Sequence, residues 1–392
     1  CAAVRVMMLS WDFPPRATGG TAAHVAGLSE ALAGAGHDVV VLTVADRPAE
    51  LDAMPPPGVR VLRTLVDMPY LPPTESVART ASANHAVTKL GVALPADLRG
   101  WTPDVVHGHD WRLGWAADTL AARFDAPFVL TMHGTERARH GGQLPLGPAT
   151  DVHSIEWWLA FQADRLISPT RFIVEQLITG FELDAEQVVH IPNGIDPDVW
   201  RTGAPAHRPA EPLVVSWGRV QYEKGFQVLA RAINELRSRV PDVHGVIAGR
   251  GSYLPELQTQ VDVEGVSDII DLPGYLPENE LRELVHQAGC VVIPSLYEPF
   301  GIVALEALAA GAPLVVARTG GLAELIAGTD AGVTFEPGNP DDLADVIERV
   351  LTDDELAERL VGSARDLVER KYAWDAIAGA TADVYSGAKR SR

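Results

Sequence analysis

Two glutamates and two cations in this chain have a spacing that suggests chemistry. Glu298 and Glu306 bracket the run Glu298-Pro-Phe-Gly-Ile-Val-Ala-Leu-Glu306. The apolar run Cys290-Val-Val-Ile293 before it reads as a buried strand, and the apolar stretch 301–310 as a helix packed on a sheet. Pro299 suits a first helical turn, where its missing N–H would have no partner. Glu298 is then expected at the mouth of the helix and Glu306 about two turns inside it. At a rise of ~1.5 Å per residue, the carboxylates would lie roughly 12 Å apart along the axis. Carboxylate pairs that cleave a glycosidic bond sit ~5–5.5 or ~6.5–9.5 Å apart, so this pair is too wide to flank one bond. It suits the two ends of an elongated ligand lying over a helix N-terminus, where backbone N–H groups favour an anion.

The cations are Arg219 and Lys224, in Ser216-Trp-Gly-Arg219-Val-Gln-Tyr-Glu-Lys224-Gly225. A strand ending at Trp217 would put both on its βα loop, where a guanidinium fork and a point charge can clamp a pyrophosphate. Gly19 and Gly20 precede a helix and let backbone approach a ligand at its N-terminus, with His24 close behind them. Asp110 and Trp111 follow a strand-like run and suit a sugar, the carboxylate for hydroxyls and the indole for a ring face. His133 follows the next such run, in Thr131-Met-His133-Gly134. His107, His109 and Asp110 have the residue types of a metal site. They alternate along a strand end without further clustered ligands, so no metal is expected. His153, Glu156, Trp157 and Trp158 share a helical segment whose tryptophans are expected in the core. Asp353-Asp354-Glu355 reads as capping charge at a helix start.

The elements that must position these groups repeat along the chain. Strand-like runs fall at 4–9, 39–43, 105–107, 128–131, 166–168 and 188–191, with helical stretches between them. After a Pro/Ala/Arg-rich passage the rhythm restarts at 213–217, 243–248, 269–272, 290–293, 314–317 and 333–335. Such alternation implies parallel sheets with helices on both faces, an α/β class with two doubly wound Rossmann-like domains. Their expected bounds are 1–196, a hinge at 197–212, 213–373, and a last helix and tail at 374–392 that cross back to the first domain. Ligands of such sheets bind at the carboxyl ends of the strands, hence in the cleft between two facing domains.

Composition narrows the partners. At 392 residues and 47% hydrophobic, the chain suits two cores better than one. A net charge of −20 argues against a nucleic-acid surface and against a broad basic face on anionic lipid. Cys1 and Cys290 offer neither a disulfide framework nor a zinc site, which fits a reducing cytoplasm, and the start at Cys1 reads as a trimmed or tagged end. No run reaches the ~18–20 apolar residues that span a bilayer, so no integral membrane segment is expected.

In combination these residues resemble glycosyltransferase family 4, the retaining nucleotide-sugar enzymes of GT-B fold. The marks are Glu298 to Glu306, Gly218-Arg-Val…Lys224-Gly, Ile191-Pro-Asn-Gly-Ile-Asp196 and Gly19-Gly-Thr-Ala-Ala-His-Val25. Within the family the chain is most similar to bacterial glycogen-synthase-like α-1,4-glucosyltransferases. That likeness rests on Ser10-Trp-Asp-Phe-Pro-Pro, His109-Asp-Trp111, Thr131-Met-His-Gly-Thr-Glu-Arg137…His140 and Val152-His-Ser-Ile-Glu-Trp-Trp158.

The resemblance implies that Arg219 and Lys224 hold the leaving diphosphate, with Gly20 and Gly19 donating N–H bonds to it. It implies that Glu306 binds the nucleotide ribose, and that Glu298 binds sugar hydroxyls with backbone N–H groups of Phe300, Gly301 and Ile302 assisting. His133 is implied at the donor sugar near the anomeric centre, and Asp110, with Trp111 and His24, on the sugar side. Where ADP-glucose glycogen synthases carry a lysine before the double glycine, this chain reads Arg16-Ala-Thr-Gly-Gly. Arg16 is therefore the candidate donor contact, and UDP-glucose and ADP-glucose both stay open. The expected activity is metal-independent transfer of glucose to a glucan, oligosaccharide or small sugar. A single transfer to a metabolite or lipid-linked acceptor, a nucleotide-sugar epimerase and a non-catalytic binding protein are the alternatives, and the oligomeric state is left open.

Overall fold

The computed structural model describes residues 3–16, 20–66, 76–204 and 211–390. Cys1, Gly19 and residues 205–210 of the passage expected as a hinge lie outside the described residues. The chain divides into two compact units, residues 1–194 with 374–392, and residues 195–373.

The first unit carries seven parallel strands: β1 (Arg5–Ser10), β2 (Asp38–Ala45), β3 (Arg60–Leu65), β4 (Val105–His109), β5 (Phe128–Thr131), β6 (Arg165–Ser168) and β7 (Val188–His190). Their order is β3-β2-β1-β4-β5-β6-β7. Side chains alternate across the sheet, as a two-residue period requires. Met7, Leu9, Val40 and Leu42 enter one core, and Val6, Met8, Val39 and Val41 the other. Both faces are covered, which is why β1 and β2 read as unbroken apolar runs. The second face is roofed by the helix Gly20–Gly34 and by the last helix, Trp374–Gly387. Tyr385 on that last helix meets Nδ1 of buried His107 at 2.7 Å, and Nε2 of His107 meets Thr131 Oγ1 at 2.8 Å. Burial drives His107 down to a pKa of about 3, so its ring is neutral.

The second unit carries six parallel strands: β8 (Leu213–Arg219), β9 (His244–Arg250), β10 (Ile270–Gly274), β11 (Cys290–Ile293), β12 (Leu314–Ala317) and β13 (Val333–Phe335). Their order is β10-β9-β8-β11-β12-β13. One core runs through both faces of this sheet. Asp353 caps the helix Asp354–Leu367 by accepting from the Leu356 N–H at 2.9 Å, as its place in the sequence suggested.

Four readings of the sequence are corrected. β3 was not foreseen, because this edge strand is only half buried and its Arg-Val-Leu-Arg-Thr-Leu pattern lacks an apolar run. β8 continues to Arg219, two residues past Trp217, because it pairs with β9 as far as Arg250. The helix after β11 starts at Ile302, with Gly301 in the left-handed region as its N-cap. Pro299 and Glu298 therefore lie in the preceding loop, Glu306 sits barely one turn into the helix, and the axial estimate between the two glutamates does not apply. Trp157 and Trp158 are 47% and 36% exposed, so they are surface residues and not core.

Candidate active site

In each sheet the order reverses at one point, between β1 and β4 in the first and between β8 and β11 in the second. A crevice opens outside the carboxyl ends of strands at such a point. The expected residues gather at these two places, one set in each unit.

In the second unit Arg219 is the exposed last residue of β8, and Lys224 ends a 3₁₀ turn, Tyr222–Lys224, just beyond it. Lys224 Nζ lies 2.6 Å from Oε2 of Glu298 in the loop after β11. Ser295 Oγ donates to the same carboxylate oxygen at 3.2 Å. The Leu296 N–H donates to the Glu223 carbonyl at 2.8 Å, which ties the two loops together at the backbone as well. Glu298 is 8% exposed, so its charge is compensated by Lys224 and Ser295 rather than by water. Glu306 accepts from Trp217 Nε1 at 3.1 Å, and desolvation raises its pKa to about 7. Phe300 is turned into the core against Tyr372, leaving only its backbone to face a ligand. Gly301 and Ile302 begin a helix whose first N–H groups have no intrahelical acceptor.

In the first unit Asp110 follows β4 in the left-handed region, φ 56°. Its N–H donates to the Thr131 carbonyl, and its Oδ1 accepts from the His133 N–H at 2.9 Å. Asp110 therefore fixes the backbone that carries His133. Trp111 beside it is partly buried, with the Arg112 guanidinium over its ring. His24, His109 and His133 converge, and burial pushes all three below the usual histidine range. Of the strand-end residues from which no metal was expected, His107 has both ring nitrogens hydrogen-bonded, and Asp110 serves the His133 backbone. Gly20, expected just before its helix, is the first residue of it. Arg16, expected at a donor phosphate, is instead engaged with Asp46 at 2.7 Å, Asp12 at 3.2 Å and the Trp11 carbonyl.

Three contributors had no role assigned from the sequence. Trp217 and Ser295 hold the two glutamates. Glu156, only 3% exposed, accepts the Glu136 N–H through both carboxylate oxygens at 3.1 and 2.9 Å. Glu156 thereby anchors the segment that follows His133, and burial raises its pKa to about 8.

Two doubly wound units, each with polar and charged groups at its topological switch point, make up the GT-B fold class. Residues 19–194 match the model of a glycosyl transferase 4-like domain, and residues 203–367 that of glycosyl transferases group 1. The chain is 38% identical over 397 residues to glycogen synthase of Mycobacterium tuberculosis, covering 99% of this chain and 95% of that one. It is 32% identical to D-inositol 3-phosphate glycosyltransferase of Xylanimonas cellulosilytica, covering 95% and 93%. Among solved structures, sucrose-phosphate synthase of Thermosynechococcus elongatus matches with a TM-score of 0.82 at 23% identity, over 98% of both chains. The chain belongs to the group 1, family 4-like glycosyltransferases of GT-B fold, and it is a hexosyltransferase. Among the described residues no helix is long and apolar enough to cross a membrane.

Proposed function

We propose that the protein moves glucose from UDP- or ADP-glucose to a glucan, oligosaccharide or small sugar, keeping the α configuration and forming an α-1,4 bond. The observation that carries this reading is the set Arg219, Lys224, Glu298 and Glu306 at the switch point of the second unit, together with the 38% identity to a glycogen synthase. Arg219 and Lys224 take up the charge that develops on the departing diphosphate, with the N–H groups at the start of the helix Ile302–Ala310 adding to it. Glu298 holds Lys224 in place and receives sugar hydroxyls, while Glu306, oriented by Trp217, receives the ribose. No side chain is assigned as nucleophile; the departing phosphate oxygen takes the proton of the acceptor hydroxyl as the new bond forms on the same face. His133, Asp110 and Trp111 meet the sugars. With the leaving charge met by two cations, turnover needs no divalent ion of its own. The protein works in a reducing cytoplasm, in keeping with a sequence that holds only two cysteines, one of them the buried Cys290.

The relative that acts on inositol 3-phosphate favours a second reading, a single transfer to a small phosphorylated acceptor. One assay separates the two. UDP-, ADP- and GDP-glucose are each offered with maltooligosaccharides and with small phosphosugars, and product masses are read. A ladder of added hexoses supports elongation, whereas one added hexose on the phosphosugar alone supports the second reading. Donor consumed without an acceptor product overturns both.

A further inference from the structure

We propose that the first unit binds a divalent transition-metal ion of the zinc class through His24, His109 and His133. One ring nitrogen from each lies within 4.8 Å of the other two. The sheet order explains why: His24 sits early in the helix after β1, His109 ends β4, and His133 follows β5, and these three strands are neighbours.

The hydrogen bonding of the cluster is incomplete. His24 and His109 are 5% and 1% exposed. Both ring nitrogens of His24 and Nε2 of His109 have no hydrogen-bond partner among the described residues. Leaving a buried polar atom unpaired costs ~1–3 kcal/mol, and these three atoms belong to two neighbouring rings whose centroids are 5.5 Å apart. The remaining contact, His109 Nδ1 to His133 Nε2, is 3.4 Å, long for a hydrogen bond. Two nitrogens each ~2.0–2.1 Å from a tetrahedral zinc ion would be about 3.4 Å apart. Rings already at that separation need little movement to share an ion.

The ligand set selects the metal. Three imidazoles suit zinc, cobalt, nickel or copper, whereas magnesium and calcium want oxygen. A three-histidine site keeps a fourth position for water or a substrate atom. Resting on the proposed transferase reading, one consequence follows: an ion held by His133 withdraws that side chain from the donor sugar, so bound metal slows transfer.

The test uses the full chain, freed of metal by chelation and titrated with zinc alone by calorimetry, with elemental analysis of the product. Cobalt then replaces zinc as an optical probe of tetrahedral coordination. The expected result is one ion per chain, visible cobalt bands, and binding weakened at least about tenfold in His24→Ala and in His109→Ala. His244→Ala, outside the cluster, leaves affinity unchanged. Circular dichroism checks folding, and His24→Gln replaces any variant that does not fold. Zinc affinity unchanged in the His109 variant, or cobalt without tetrahedral bands, overturns the site. Zinc that binds as expected yet leaves transfer untouched overturns the role given to His133 and leaves the metal site standing.

Discussion

Lys224 Nζ and Glu298 Oε2 are 2.6 Å apart, and both side chains are largely shielded from water. Two segments distant in sequence, one after β8 and one after β11, are joined by this pair beside the exposed Arg219. Lys224→Ala removes a cation aimed at the leaving group and leaves a buried carboxylate supported by Ser295 alone. The expected loss in kcat is ~10²–10³-fold, by comparison with removing one oxyanion donor. Steady-state kinetics with saturating donor decides it; a variant turning over at the wild-type rate ends the role assigned to Lys224.

Gly225, directly after Lys224, has φ 71°, and a Cβ there would overlap the carbonyl oxygen of Pro294. Gly225→Ala combines left-handed strain with a backbone clash, so it is expected to lower stability by at least ~2 kcal/mol. It also parts the loop of Lys224 from that of Glu298. Chemical denaturation and the donor KM check the two effects, and a neutral result on both would contradict the described loop contact.

Glu156 gives a pH dependence of defined sign. Its folded-state pKa of about 8 lies above the ordinary 4.5. Between those values the unfolded chain has released the proton that the folded chain keeps. The native state therefore loses stability as pH rises through this window, by about 1.4 kcal/mol per unit at most. Glu156→Gln removes the loss. Thermal melts of the two proteins should agree near pH 4.5 and diverge toward pH 8, with the variant the more stable; parallel curves would refute the shift.

Trp374 is held between Gly27 and Gly194, at each of which a Cβ would overlap the indole. Gly27→Ala is expected to displace the ring and cost about 1–3 kcal/mol. Trp374→Ala opens room for the added methyl, so the double variant should be destabilised by less than the sum of the two single changes. Additive losses in denaturant would show that the two positions do not touch.

The sequence made the repeating strands legible because most are buried on both faces and so read as apolar runs. It missed β3, where burial is partial, and it began one helix too early because Pro299 suits a loop as well as a first turn. The second-unit site was legible through Arg219, Lys224 and the two glutamates, whose types and order are distinctive. Their partners were not. Nothing in the letters sets Trp217 against Glu306 or Lys224 against Glu298, because the sheet order makes those pairs, while Ser295 meets Glu298 within a single loop. The histidine cluster was hidden for the same reason: its members are far apart in the chain and meet only when β1, β4 and β5 align. Nor do the letters show that the Arg16 guanidinium pairs with Asp46, thirty residues away.

The last helix completes the first unit, although the chain builds the whole second unit before reaching it. During synthesis on the ribosome, Val25, Leu28 and their neighbours remain uncovered until the helix Trp374–Gly387 emerges, while the second unit is already whole. The two units are thus completed in reverse order, and a nascent chain stalled before Trp374 would present that bare apolar face to chaperones.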